Sequence, residues 1–239
     1  ETPLPTSTPD SNKCGGYGGC TVYLTFDDGP DPLDFTTDIA YKLQERGVKA
    51  TFFVTGADEG ENGLLRYLWT CLDTNGITPE WKGQNAIQAL MSAGHKIGLH
   101  GWYHKAWNQE YDQGLSQLTI EESRLNEIGV LLGQPVLVRS PYLAWGEVPI
   151  PNYKNAYYYA ADIISGDTES NYDPKNIVDS IKTQLASQGY PNGPIILLHS
   201  VPSTRTYQTI VNPASEETDL IAQLINLGYT RFEVLPRDN

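Results

Sequence analysis

Tyr23-Leu24-Thr25-Phe26-Asp27-Asp28-Gly29-Pro30 is the stretch on which the reading of the fold turns. Val22, Leu24 and Phe26 alternate with Tyr23, Thr25 and Asp27, the period of a strand with one apolar face. Gly29-Pro30 stops it. Neighbouring strand residues point to opposite faces, so Asp27 and Asp28 serve one site only if the strand turns into a loop between them. Two like charges this close call for a cation or an arginine nearby. Alone, the stretch reads as a solvated turn, because Asp, Gly and Pro are turn residues. The rest of the chain has to supply the positive charge.

Outward from this strand, strands and helices alternate. Residues 35–46 carry Ile39, Ala40 and Leu43 at helical spacing and end at Gly47. Residues 50–55 form a buried apolar strand, 84–93 a helix stopped by Gly94, and 96–100 another strand. A helix is expected from Thr119, opened by a Thr119-Ile120-Glu121-Glu122 capping box. Strands follow at 136–139 and 157–164. Asp173 and Pro174 open a helix with Ile177, Val178, Ile181 and Leu185 on its apolar stripe. A strand at 195–199, a helix capped by Ser215 and a last strand at 232–235 complete the pattern. Residues 57–82 are polar, Gly-rich and irregular, and read as an insertion with a short amphipathic piece at Leu64, Leu65, Leu68 and Trp69. The alternation specifies an α/β fold with a parallel sheet, open or closed into a barrel.

Residues 1–13 are rich in Pro, Thr and Ser and read as a linker or extension, of the kind that tethers a carbohydrate-binding or other module. Residues 14–239 read as one domain. The net charge of −13 argues against nucleic acid and anionic membranes as partners. No apolar run is long enough for a membrane span, and no signal peptide is read. Cys14 and Cys20 flank a Gly-Gly-Tyr-Gly-Gly loop and are the preferred disulfide, with Cys71 as the alternative partner of either. Export into an oxidising compartment is expected, as a secreted monomer.

Strands end in residues that do chemistry: Asp27, His100, Arg139 and His199. In parallel α/β folds the site lies at the carboxyl ends of the strands. His100-Gly101-Trp102-Tyr103-His104 spaces two imidazoles four apart, which on a helical turn share one face. Joined to Asp28 they give two nitrogens and a carboxylate, the ligand set of a catalytic zinc with an open position. Such a cation is the charge the Asp27/Asp28 pair needs. Arg139 at its strand end would tether Asp27, and His199 ends the most apolar strand. His95, in a Gly94-His95-Lys96 turn, is assigned a structural role.

In these motifs, in their order and spacing, the chain resembles the polysaccharide deacetylase family, carbohydrate esterase family 4, also called the NodB homology domain, from about Thr21 to Leu235. The motifs are Thr25-Phe26-Asp27-Asp28-Gly29-Pro30, His100 to His104, Arg139-Ser140-Pro141-Tyr142 and Ile195-Ile196-Leu197-Leu198-His199. The resemblance implies a distorted (β/α) barrel with fewer than eight repeats. It implies Asp27 as general base, Asp28, His100 and His104 as metal ligands, Arg139 as the tether of the base and His199 as general acid. It implies the Tyr142 N–H as an oxyanion donor and Leu197 as lining of the acetyl pocket. A loose match at 163–172 makes Asp167 the candidate for tuning His199, with Ile164 and Tyr172 near positions where tryptophan is common. Gly101 stands where the family usually has Ser or Thr, removing a hydroxyl that braces the metal loop. Trp102, Trp107, Tyr142 and Trp145 are candidates for stacking on sugar rings or for packing in the rim. The implied cofactor is a divalent metal, Zn2+ first, with Co2+ or Ni2+ as substitutes. The implied partner is an acetylated polysaccharide or oligosaccharide. N-deacetylation of an N-acetylglucosamine polymer such as chitin leads, O-deacetylation of xylan is the alternative, and a silent binding domain is disfavoured. The insertion at 57–82 is expected to shape the groove that decides between them.

Overall fold

The computed structural model describes residues 14, 19–31, 34–59, 65–67, 80–107, 111–144, 153–170, 173–202 and 204–236. The strands are β1 (Cys20–Asp27), β2 (Ala50–Val54), β3 (Ala57–Glu59), β4 (Leu65–Tyr67), β5 (Lys96–Leu99), β6 (Leu137–Val138), β7 (Tyr157–Tyr158), β8 (Ile163–Ile164), β9 (Ile195–His199) and β10 (Tyr229–Phe232). The helices are α1 (Phe35–Glu45), α2 (Glu80–Ser92), α3 (Tyr111–Glu127), α4 (Pro174–Ser187), α5 (Thr206–Ile210) and α6 (Leu220–Asn226). The main sheet runs in the order β7-β6-β5-β2-β1-β9-β8 with every pair parallel, and β10 pairs with the start of β1. It curls into a half-barrel with helices around it.

The alternation of β1 divides the barrel into two environments. Val22, Leu24 and Phe26 join Phe52, Val54, Leu99, Val138, Ile196 and Leu198 in the large core against the helices. There Phe26 and Phe52 stack with ring centroids 4.8 Å apart, a pair worth roughly 0.5–1.5 kcal/mol beyond its buried area. Tyr23, Phe53, Leu137 and Ile195 form a separate inner cluster, plugged by Leu235. α1 turns Thr36, Ile39, Ala40 and Leu43 inward, and α4 turns Ile177, Val178, Ile181 and Leu185. The α4 start is held as its sequence specifies: Asp173 accepts a bond from the Asn176 N–H at 2.8 Å and Pro174 follows it. His95 is buried, Nδ1 accepting from the Ala50 N–H and Nε2 facing the Ala40 carbonyl, and burial lowers its pKa. Cys14 and Cys20 form the disulfide. Cys71 and the linker at 1–13 lie outside the described residues.

Several expectations are corrected. Thr119 lies inside α3, not at its start, and its Oγ1 donates to the Leu115 carbonyl one turn back. The apolar run at 157–164 is two strands on opposite ends of the sheet, β7 against β6 and β8 against β9. α2 starts at Glu80, before the expected 84. Residues 57–59 and 65–67 pair as an antiparallel hairpin where irregular chain was expected, and Leu65 is in a strand. Ser215 caps a short 3-10 turn, and Asp219 caps α6 by accepting from the Ala222 N–H. The last strand ends at Phe232, and Leu235 is a plug instead. Among the described residues no helix is long and apolar enough to cross a membrane.

Leu198 is fully buried between β9 and the helical layer. Leu198→Ala should lower the unfolding free energy in urea by about 2–5 kcal/mol, the cost of a core truncation. A loss under about 0.5 kcal/mol, the level of a surface substitution, would show that the outer face is not the core.

Candidate active site

The two adjacent carboxylates reach one site because β1 ends at Asp27, and Asp28 leaves the extended conformation. Asp27 ends the strand on its inner face, and Asp28 adopts φ +71°. Asp tolerates the left-handed region better than most residues. Neighbouring strands hold the turn: Thr55 N–H donates to the Gly29 carbonyl at 2.8 Å and Ser200 N–H to the Asp27 carbonyl at 3.1 Å. Asp31 caps the following helix, accepting from the N–H and hydroxyl of Thr36.

Arg139 sits inside the barrel at 0% exposure. Its Nη1 donates to Asp27 Oδ1 and to Thr25 Oγ1, each at 2.8 Å. Nε and Nη2 donate to the carbonyls of Tyr159 and Ala160 at 3.2 Å. The guanidinium lies 4.3 Å from the Phe53 ring centroid.

His100 follows β5, and its N–H donates to the Val54 carbonyl. Its Nδ1 lies 2.9 Å from the Arg139 carbonyl. A carbonyl only accepts, so Nδ1 carries the proton and Nε2 keeps its lone pair for a ligand. Nε2 is 3.3 Å from Asp28 Oδ1, and His104 Nε2 is 3.0 Å from the same oxygen. His104 reaches this place from a tight turn, not the helical turn expected: its N–H donates to the Gly101 carbonyl and its φ is +50°. Burial alone would raise the Asp28 carboxyl pKa, but in the metal-free site hydrogen bonds and charge from His100 and His104, when these carry protons on Nε2, hold it well below the ordinary range.

Asp28, His100 and His104 each offer one atom to a common point, all within 4.8 Å of one another. Asp28 Oδ1 is buried and has no hydrogen bond of good geometry to satisfy it, although both imidazoles approach it. Lone pairs brought together without donors are the signature of a cation site, and tetrahedral zinc with bonds of about 2.1 Å would set its ligands roughly 3.4 Å apart. The residues fit a small divalent metal.

His199 ends β9 on the other side. Asp167 Oδ1 is 2.8 Å from its Nδ1, and Asp167 Oδ2 accepts from the His199 N–H at 2.8 Å. Ser165 and Thr206 hydroxyls also donate to Asp167. His199 Nε2 is left facing Asp28 Oδ2 at 3.9 Å. Leu197 lies on the same strand face as His199, two residues deeper. Tyr142 is 70% exposed, at φ +58°, with its ring 4.6 Å from that of His104.

The sequence thus placed Asp27, Asp28, His100, His104, Arg139, Asp167 and His199 in one constellation, and the structure brings them together. Trp102 and Trp107 are 3% exposed, so they pack rather than offer stacking faces. Trp145 and Tyr172 lie outside the described residues. Sequence reasoning missed Thr25 as a partner of Arg139, although its inward position was legible in the alternation. It also missed Gln117 and Glu121 on α3, which bond the turn carrying the two imidazoles; in sequence Glu121 reads as part of a cap. Burial pushes the Glu121 carboxyl well up, against the pull of its two N–H donors. Most of the insertion at 57–82, expected to shape the groove, lies outside the described residues.

A family model described as Polysaccharide deacetylase matches residues 16–161. The chain belongs to the polysaccharide deacetylase family. It is 29% identical over 224 residues to a peptidoglycan-N-acetylglucosamine deacetylase of Bacillus cereus, covering 93% of this chain and 69% of the relative. The structure of the chitin deacetylase from Colletotrichum lindemuthianum superposes with a TM-score of 0.70, at 22% identity over 97% of this chain and 91% of that one. A family 4 acetyl xylan esterase from Clostridium thermocellum in complex with a cobalt ion superposes with a TM-score of 0.64, at 23% identity over 90% and 87% of the two chains. The chain is therefore an enzyme of a carbohydrate deacetylase and esterase family whose members use a metal.

His199 carries the pH prediction. Burial lowers its pKa, but the Asp167 hydrogen bond and charge outweigh it, with Asp28 and Asp27 adding, and push it up to about 9. The folded value lies above the unfolded one, so the imidazolium–Asp167 pair stabilises the fold fully below about 6.5 and is lost as pH rises through about 9. Asp167→Asn should move the His199 proton NMR titration of metal-free protein to lower pH. An unmoved midpoint would remove Asp167 from the role.

Proposed function

We propose that this chain removes N-acetyl groups from an N-acetylglucosamine polymer or oligomer of the chitin type, using a divalent cation, zinc first, held by Asp28, His100 and His104. The observation behind this is the placement of an arginine-tethered carboxylate and a carboxylate-paired imidazole on either side of that ligand set. When bound, the cation polarises the acetyl carbonyl and acidifies a water beside it.

The protein's own groups then divide the work. Asp27, fixed by Arg139 at 2.8 Å, takes a proton from the attacking water. The oxygen adds to the carbonyl carbon, and the Tyr142 N–H serves the developing oxyanion. His199 donates its Nε2 proton to the departing nitrogen as the C–N bond breaks, releasing acetate and the free amine. Asp167 keeps the imidazolium oriented through Nδ1 at 2.8 Å. Leu197 lines the space for the acetyl methyl. The preference for an N-acetyl substrate rests on the Bacillus cereus relative, which is named for N-acetylglucosamine. The same chemistry on acetylated xylan is the second reading, favoured by the fold shared with the acetyl xylan esterase. The Cys14–Cys20 bridge fits secretion into an oxidising medium, with residues 1–13 as a linker to another module.

Acetate release from chitooligosaccharides and from acetylxylan, measured side by side, should favour the former, stop with a chelator and return with Zn2+; Co2+ or Ni2+ should substitute. Faster release from acetylxylan would favour the second reading, and none from either would overturn both. Asp27→Asn should retain bound metal while losing roughly 10²–10⁴-fold in rate. Near wild-type turnover with metal bound would show that Asp27 is not the base.

A further inference from the structure

Helix α3 supplies no group to the proposed chemistry, yet it carries two buried polar side chains. Glu121 is 0% exposed and Gln117 is 3% exposed, one turn apart and hence on one face. Their hydrogen bonds run to the turn that carries the two imidazoles. Glu121 accepts from the Gly101 N–H at 2.7 Å and from the His100 N–H at 3.2 Å, a donor it shares with the Val54 carbonyl at 3.0 Å. Gln117 Oε1 accepts from the Tyr103 N–H at 3.1 Å and the Lys105 N–H at 3.4 Å. The turn is pressed against the helix: Gly101 has φ +89°, and a Cβ there would stand 3.1 Å from Gln117 Oε1 and 3.3 Å from the Trp107 ring. A glycine at this position permits both the conformation and the approach.

We infer that Glu121 and Gln117 are positioning residues for the metal, with α3 clamping the backbone of residues 100–105 so that His100 and His104 keep their places beside Asp28. Position 101 offers no hydroxyl to brace the turn, and the helix does so instead. A helix needed only for packing would carry apolar groups at these points, since a buried carboxyl is costly unless it is bonded. Both Glu121 oxygens face N–H donors. A glutamine there has one acceptor oxygen and would turn an N–H toward one of them.

This inference rests on the metal site proposed above, and the test separates the two. Zn2+ affinity is measured by competition with a chromophoric chelator, and the ligand field from the visible spectrum with Co2+. Wild type that binds no metal overturns the site itself. Given wild-type binding, Glu121→Gln and Gln117→Ala should each weaken Zn2+ affinity by roughly 10–100-fold and alter the Co2+ spectrum. Glu127→Gln, on the exposed end of the same helix, should change neither. A purely structural role would lower the melting temperature of the metal-free protein and leave affinity and spectrum of the folded protein unmoved, which would overturn the inference. If Glu121→Gln does not fold, Gln117→Ala decides alone: wild-type affinity and spectrum there overturn it.

Discussion

The structure depends on one buried cation. Arg139 occupies the interior of the half-barrel without solvent contact, and its donors are met by Thr25, Asp27 and the carbonyls of Tyr159 and Ala160. An unpaired charge there would be prohibitive, and removing one member of such a pair typically costs about 3–5 kcal/mol. The same guanidinium spans an opening. β7 and β8 lie at the two ends of the sheet, joined by a chain segment rather than by a ladder, and Arg139 binds the carbonyls of that segment. The group that holds Asp27 also fastens the open side of the barrel.

This explains why the interior is polar at one end and apolar at the other. From the base upward along β1 the inward residues are Tyr23, Thr25 and Asp27, and along β9 Ile195, Leu197 and His199. Tyr23 and Ile195 belong to the inner apolar cluster; Thr25 and Asp27 belong to Arg139. The outward residues of the same strands carry the hydrophobic stabilisation against the helices. Stability and chemistry are thus assigned to opposite faces of the same strands, so the inner face can hold charges at modest cost to the core.

The legibility of the sequence follows the same division. Strands such as β1, β2, β5 and β9, with long apolar runs or clear alternation, were readable, and so were the reactive residues at their ends. Elements defined by tertiary contacts were not. Two-residue strands at 157–158 and 163–164 read as one apolar run, since nothing local says that the chain crosses from one end of the sheet to the other. Thr119 looked like a cap because a hydroxyl followed by acids is also what a helix interior presents; its hydroxyl is satisfied by the carbonyl one turn back. Glu121 and Gln117 resemble surface residues of any amphipathic helix, and only the turn packed on them reveals their use.

The adjacent aspartates show most directly how backbone geometry substitutes for separation in sequence. On a straight strand they would face opposite sides of the sheet. With Asp28 in the left-handed conformation, both reach the mouth of the barrel. Asp27 is held by Arg139 from within, and Asp28 is approached by His100 and His104 from the rim. His100 Nε2 lies between them, 3.3 Å from Asp28 Oδ1 and 3.6 Å from Asp27 Oδ2, while Arg139 pairs with Asp27 and His104 with Asp28. The two carboxylates are thereby distinguished before any substrate arrives: Asp27 is bonded inward by Arg139, and Asp28 is aimed at His100 and His104.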